Sequence, residues 1–217
     1  MGTTMKNWNR DKEQKKKALL DATKDLLEKN VYYDITTKEI AKKAGVSIAL
    51  LYKYYPDGKI SLIKGLADEE AKIMLQEYPI ETGQMKLPED IEDIREFIYK
   101  NTLFSIDIHR RNRNLNLALE MIYLANPEGG PYALDKYEMY NDEVANLFVK
   151  LVANHISGIN IDTSFSKFIV QLVDATIHRH VSLFAVTDTD ESLANMLTDM
   201  IIDLISVYKS DSPNIVL

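Results

Sequence analysis

The stretch AGVSIALLYKYYPDG, residues 44–58, places three phenols and an ammonium, Tyr52-Lys53-Tyr54-Tyr55, between a glycine turn and a Pro-Asp-Gly turn. The chemistry open to such a group is binding, because phenol O–H groups donate to oxygens and an ammonium neutralises one negative charge. At about 100° per helical residue, Ile48, Leu51 and Tyr55 share a narrow arc, which is expected to pack down. Ala49 and Lys53 point the opposite way, with Tyr52 and Tyr54 on the flanks of that outward face. A small, basic centre between two phenols suits a DNA major groove. The phenols would donate to phosphates on both walls while the centre approaches base edges. The plain alternative is that the tyrosines half-bury as packing.

The elements that must position this face are legible around it. Thr36-Thr37-Lys38-Glu39 reads as a capping box, with Thr36 accepting from the amide of Glu39 and Glu39 reaching back to the amide of Thr36. Ile40, Ala41 and Ala44 then face inward on a helix of two turns that Gly45 stops. Val46 is expected to be buried in the turn, and Ser47 is a second N-cap, opening a helix over residues 48–54. Two short helices joined by a turn of three to four residues containing Gly form a helix-turn-helix.

Outside this motif the apolar spacing is helical, with little strand-like alternation, and Gly and Pro fall where helices would end. Helices are expected over about 11–29, 59–78, from Pro88 onward, 113–125, 131–156, 163–186 and 190–209. The proline and acids of Pro88-Glu-Asp suit a helix start. The chain therefore reads as all-α, with about nine helices. The last two helices carry apolar residues on more than one face, including Phe165, Ile169 and Phe184 on one and Leu197, Ile201 and Ile205 on the other. Such a pair is expected to meet its copy in a second chain, forming a four-helix homodimer interface over about 163–209. An ordinary monomeric core is the alternative.

Composition narrows the function. The chain has 217 residues, 46% of them hydrophobic, enough for a sizeable core. No apolar run approaches the ~20 residues of a membrane span, and the polar, basic start MGTTMKNWNRDKEQKKK lacks a signal's apolar core. No membrane association and a cytoplasmic location are expected. The absence of cysteine removes disulfides, thiolate catalysis and thiolate-bound zinc. The net charge of −7 is unevenly placed, since residues 1–64 hold 14 Lys+Arg against 8 Asp+Glu and residues 65–217 hold 12 against 25. A basic N-terminal third on an acidic body fits one part meeting a polyanion. A lysine-rich solvated helix would give the same count.

Residues 19–66, LLDATKDLL…DITTKEIAKKAGVSIALLYKYYPDGKISLI, resemble the DNA-binding domain of TetR-family transcriptional regulators in order, spacing and residue type. The resemblance implies an N-terminal three-helix helix-turn-helix domain, residues 1–64, followed by a helical ligand-binding and dimerisation domain, residues 65–217. It implies that Thr37 and Lys38 lie near the backbone and groove edge, that Ser47, Ala49 and Leu50 reach toward bases, and that Tyr52 and Tyr54 take phosphates. Lys53 stands with them on the outward face. Lys59 resembles a lysine that adds a phosphate contact at the start of the next helix. Three departures stand out. Val31 replaces a glycine, leaving Asn30 as the cap residue; the Pro56-Asp57-Gly58-Lys59 turn is one residue longer; and Ile48-Ala49-Leu50 is unusually apolar for a reading face. Thymine-methyl contacts together with Lys38 or Lys53 are the expected source of specificity.

The same resemblance implies a dimeric repressor on a palindromic DNA operator, released by a small, largely apolar effector in the body. Phe104, Ile108, Met121, Tyr137 and Tyr140 are the candidate lining residues, although such a stripe is also what plain core looks like. Glu120 interrupts the apolar LNLALEMIYLA. Buried, it would favour a cationic lipophile; at the surface it would be a solvated carboxylate. His178 and His180 are two apart on a helix, poor geometry for a shared metal, and neither metal nor cofactor is expected. No enzyme signature such as a P-loop or G-x-S-x-G occurs, so no catalytic residues are assigned. Two other readings remain: a TetR-like protein controlled by a protein partner rather than a small molecule, and a helical interaction module or enzyme that does not bind DNA.

Overall fold

A computed structural model describes residues 2–77, 91–125 and 162–210, together with Gly83 and Pro88. The described residues are helical throughout, without a strand: α1 (Gly2–Leu27), α2 (Thr37–Lys43), α3 (Ile48–Tyr54), α4 (Lys59–Glu77), α5 (Ile91–Arg111), α6 (Arg113–Ala125), α7 (Thr163–Ser182) and α8 (Asp190–Ser210), with a 3-10 turn at Tyr32–Asp34. The helix expected over 131–156 lies outside the described residues. Two compact units are formed, one from residues 1–74 and 112–133, the other from 75–111 and 134–217.

In the first unit α1, α2, α3, the start of α4 and α6 enclose one apolar core. Leu19, Ile40, Leu51 and Leu62 are fully buried there, and Ile63 nearly so. Leu115, Ala118 and Ile122 of α6 belong to the same core, and the Asn114 side chain donates to the Leu27 carbonyl at 2.8 Å, closing one of the orphan acceptors at the end of α1. The Asn30 side chain donates to the Leu26 carbonyl at 2.9 Å, beside its own amide at 3.0 Å. Asn30 thus caps α1 where glycine is missing.

Two expectations at α3 and the turn before it are corrected. Ile48 does not pack down but is 46% exposed, although Leu51 of the same arc is fully buried. Each Cα–Cβ bond tilts toward the helix N-terminus, so the first residue of a two-turn helix projects past its end rather than onto the core. Val46 is half-buried rather than buried, while Tyr54, on the flank, is half-buried against the core.

The second unit packs α5 against both α7 and α8. Its apolar seam runs from Ile94, Ile98 and Ile205 at one end to Ile106, Ile177 and Leu193 at the other. Asp162 caps α7 by accepting from the Phe165 amide at 2.7 Å. The helix stops at Ser182, four residues short of the expected end. There the buried His180 ring holds the following turn, accepting from the Val186 amide at Nδ1 (3.0 Å) and donating from Nε2 to Asp190 (3.1 Å).

Candidate nucleic-acid interface

Helices α2 and α3 owe their starts to side chains. Thr36 caps α2, accepting from the Glu39 amide at 3.2 Å, while the Glu39 carboxylate accepts from the Thr36 amide at 2.9 Å and hydroxyl at 2.7 Å. These bonds hold the Glu39 carboxyl below its ordinary pKa. Such a cap contributes about 1 kcal/mol to a short helix with little intrinsic stability. Gly45, at φ 68°, makes the left-handed turn, and Ser47 caps α3 by accepting from the Leu50 amide at 3.2 Å.

The phenols then separate by partner. Tyr55 donates to the Lys16 carbonyl at a long 3.4 Å, and burial pushes its pKa to about 12, so it is a neutral anchor against α1. Tyr52 is 46% exposed, and its hydroxyl shares a hydrogen bond with the Thr37 hydroxyl at 3.3 Å. Its ring lies over Gly58, where an added Cβ would come within 3.0 Å of the Tyr52 ring and 3.3 Å of the Thr37 methyl. Gly58 is therefore required twice, by its φ of 61° and by the ring above it. The longer turn that contains it makes the seat on which Tyr52 rests.

Around that seat, Lys38, Ala49 and Lys53 are exposed, Leu50 is half-buried, and Thr37 is half-buried beneath Tyr52. Lys38 and Lys53 take part in no ion pair among the described residues, whereas Lys43 is held by Asp25 at 3.2 Å. Lys59 is placed differently from a surface cation. Its ammonium donates to the carbonyls of Tyr32 (2.6 Å) and Ile35 (2.8 Å) and sits 4.0 Å from the centre of the Tyr32 ring, and burial lowers its pKa. Two of three donors are thus spent tying α4 to the turn before α2. The Gly58 seat and the Lys59 tie were missed from sequence; the Pro-Asp-Gly turn was the available signal for the first, and nothing local signals the second.

The candidate effector residues divide between the units. Phe104 and Ile108 are half-buried on α5 in the second; Glu120, exposed, and Met121, half-buried, are on α6 in the first. Glu120 is thus the surface carboxylate of the two alternatives. Tyr137 and Tyr140 lie outside the described residues. No group of three or more His, Asp or Glu side chains fit to hold a metal occurs among the described residues. No described helix is long and apolar enough to cross a membrane.

A capped pair of short helices at a left-handed glycine, with an exposed tyrosine and lysine on the second and an exposed lysine on the first, defines a helix-turn-helix DNA-binding protein. Residues 19–65 match the family model for bacterial regulatory proteins of the tetR family, and this segment is a TetR-family DNA-binding domain. Over the whole chain the fold is that of TetR-family transcriptional regulators. A Rhodococcus sp. protein assigned to that family superposes with a TM-score of 0.63 at 16% identity, over 89% of this chain and 98% of its own. A TetR transcriptional regulator from Rhodococcus sp. RHA1 gives 0.53 at 18% identity, over the same shares. A comparison with curated proteins gives no match.

Proposed function

We propose that the protein is a ligand-responsive repressor that binds a palindromic DNA operator as a homodimer. The observation that carries the reading is the seated, exposed Tyr52 beside the exposed Lys53 and Lys38 on a capped helix-turn-helix. Tyr52 and Tyr54 take phosphates, the tyrosine hydroxyls donating, while Lys38 and Lys53 neutralise the backbone. Thr37, Ser47, Ala49 and Leu50 lie at the groove, and the third donor of Lys59 is left for a phosphate. The DNA-binding head is residues 1–64 and the regulatory body residues 65–217, with the chain acting in the cytoplasm and without catalysis.

Dimerisation through α7 and α8 is supported by their outward apolar residues. Phe168 is 53% exposed, followed at helical spacing by the half-buried Leu172 and the exposed Ala175. Met196 and Val207 lie three turns apart on α8 and are exposed as well. Two copies of this surface bury what a single chain leaves in water. The effector is small and largely apolar, and its contacts are assigned to Phe104 and Ile108 on α5 together with Tyr137 and Tyr140. Its binding shifts the dimer between arrangements that fit the operator differently.

The test is binding of the full chain to duplex DNA across a range of salt. Affinity should fall steeply as salt rises, with a slope near −0.9 for each phosphate neutralised. Tyr52→Phe with Tyr54→Phe should weaken binding and leave the melting temperature nearly unchanged. Selective binding that survives the double change with the same salt slope sinks the assignment of the tyrosines. A monomer by sedimentation sinks the dimer.

A further inference from the structure

From residue 31 to residue 75 the chain contains no Arg, Asn or Gln, so of the side chains that pair bidentately with purine edges in a major groove only lysine is present. The remaining polar groups at the groove are largely spoken for. Glu39 is closed in the capping box, Thr37 shares its hydroxyl with Tyr52, the Ser47 oxygen accepts from the Leu50 amide, and Lys43 is paired with Asp25. What the reading helix presents instead is hydrocarbon. Ile48 stands 46% exposed ahead of the buried Leu51, and Ala49 is exposed beside it. An isoleucine 46% exposed on a helix anchored by the buried Leu51 leaves apolar area in water that folding does not remove.

The one apolar group that a base pair offers in the major groove is the C5-methyl of a pyrimidine. We propose that Ile48, assisted by Ala49, is the specificity-determining residue of this protein and that it selects pyrimidine C5-methyl groups. Thymine is the usual source, and 5-methylcytosine presents the same methyl at the same ring position. Sequence choice therefore rests on burial of methyl groups against Ile48, and the lysines and tyrosines supply affinity without selecting bases. The inference rests on the DNA-binding reading above and adds to it the residue that discriminates and the group it discriminates by.

The experiment selects operator duplexes from a random library with the full chain, then measures binding by fluorescence anisotropy. Each selected thymine is replaced in turn by uracil, which lacks the methyl, and the T·A pair by cytosine·guanine with and without the C5-methyl. At one or two thymines per half-site, uracil should weaken binding about fourfold, the value of one buried methyl. At the same positions 5-methylcytosine should bind about fourfold tighter than cytosine. In Ile48→Ala both ratios should collapse toward one, with the melting temperature unchanged because Ile48 is outside the core. Selective binding that is equal on thymine and uracil at every position overturns the inference and leaves the DNA-binding reading standing. A thymine-to-uracil ratio that persists in Ile48→Ala overturns the assignment to that residue. Failure to enrich any duplex removes both the reading and the inference built on it.

Discussion

The two units hold themselves together by different means. In the first, the described buried residues are apolar save Thr23, whose hydroxyl donates to the Leu19 carbonyl one turn back at 2.8 Å. Its polar bonds combine local ones, a capping box, a serine cap and left-handed turns at Gly45 and Gly58, with ties across the unit, Lys24 to Glu70 at 2.5 Å and Lys59 to the Tyr32 and Ile35 carbonyls. In the second, the interior keeps Thr102, His109, Ser166, His180, Ser182 and Thr198. Its ion pairs join distant parts of the chain, His109 to Asp174 at 3.2 Å and Arg110 to Asp190 at 2.5 Å, with Arg95 paired to Asp199. An apolar core beneath two capped short helices suits a head that must present one fixed surface. A body with ionisable groups inside it has interactions that a bound molecule or a proton is able to rebalance.

The comparison breaks most readily at Leu51, which is fully buried under α3. Leu51→Ala should cost about 2–5 kcal/mol, read as a lowered denaturation midpoint, because the packed site cannot collapse around the lost atoms. A cost below ~1 kcal/mol would show the first unit to be loosely packed and end the contrast. The next effect separates two glycines. Both have positive φ, so alanine at either is strained by about 1 kcal/mol, but a Cβ at Gly45 meets nothing within 4 Å while one at Gly58 strikes the Tyr52 ring. Gly58→Ala should therefore destabilise more than Gly45→Ala and, unlike it, weaken DNA binding by displacing Tyr52. Equal losses in both assays would mean that the ring has room to move. Thr36→Ala, which removes one partner of the capping box, should cost about 1 kcal/mol.

This contrast also explains what was legible beforehand. The first unit announces itself because each of its signals is local: Thr36 with Glu39, Gly45 with Ser47, and Leu51 against Tyr52 within one turn. Helix bounds such as 113–125 were read correctly for the same reason, the apolar period being a short-range property. Ile48 was misread because a helical wheel gives direction around the axis and says nothing of position along it. Lys59 holding carbonyls 24 and 27 residues away, and His109 meeting Asp174, are tertiary facts that no spacing rule encodes. The loss of the last turn of α7 belongs with them, since its cause is the His180 ring gathering Val186 and Asp190.

The smallest effect probes the second unit directly, through pH. Burial opposes the charge on His109, but the hydrogen bond to Asp174 and the charge of that carboxylate outweigh it. The Ser105 carbonyl, 2.9 Å from Nδ1, adds to them, so the net shift is upward from 6.5. A histidine whose folded pKa is raised stabilises the fold fully below its unfolded value and loses that contribution as pH rises through the folded value. The denaturation midpoint of the second unit should therefore fall as pH rises from just below 6.5 to above the folded pKa. Asp174→Asn removes the charge that favours the imidazolium and leaves only a neutral amide oxygen to accept, so burial counts for more and the slope in that window should flatten. The depressed carboxyl of Asp190, bonded to His180 and Arg110 against its own burial, gives a separate loss at pH below its ordinary 3.8 and does not overlap. The first unit has no histidine among its residues, and its midpoint should stay level across the His109 window. Parallel slopes for the two units would mean that the pH response belongs to the whole chain rather than to the interior of the body.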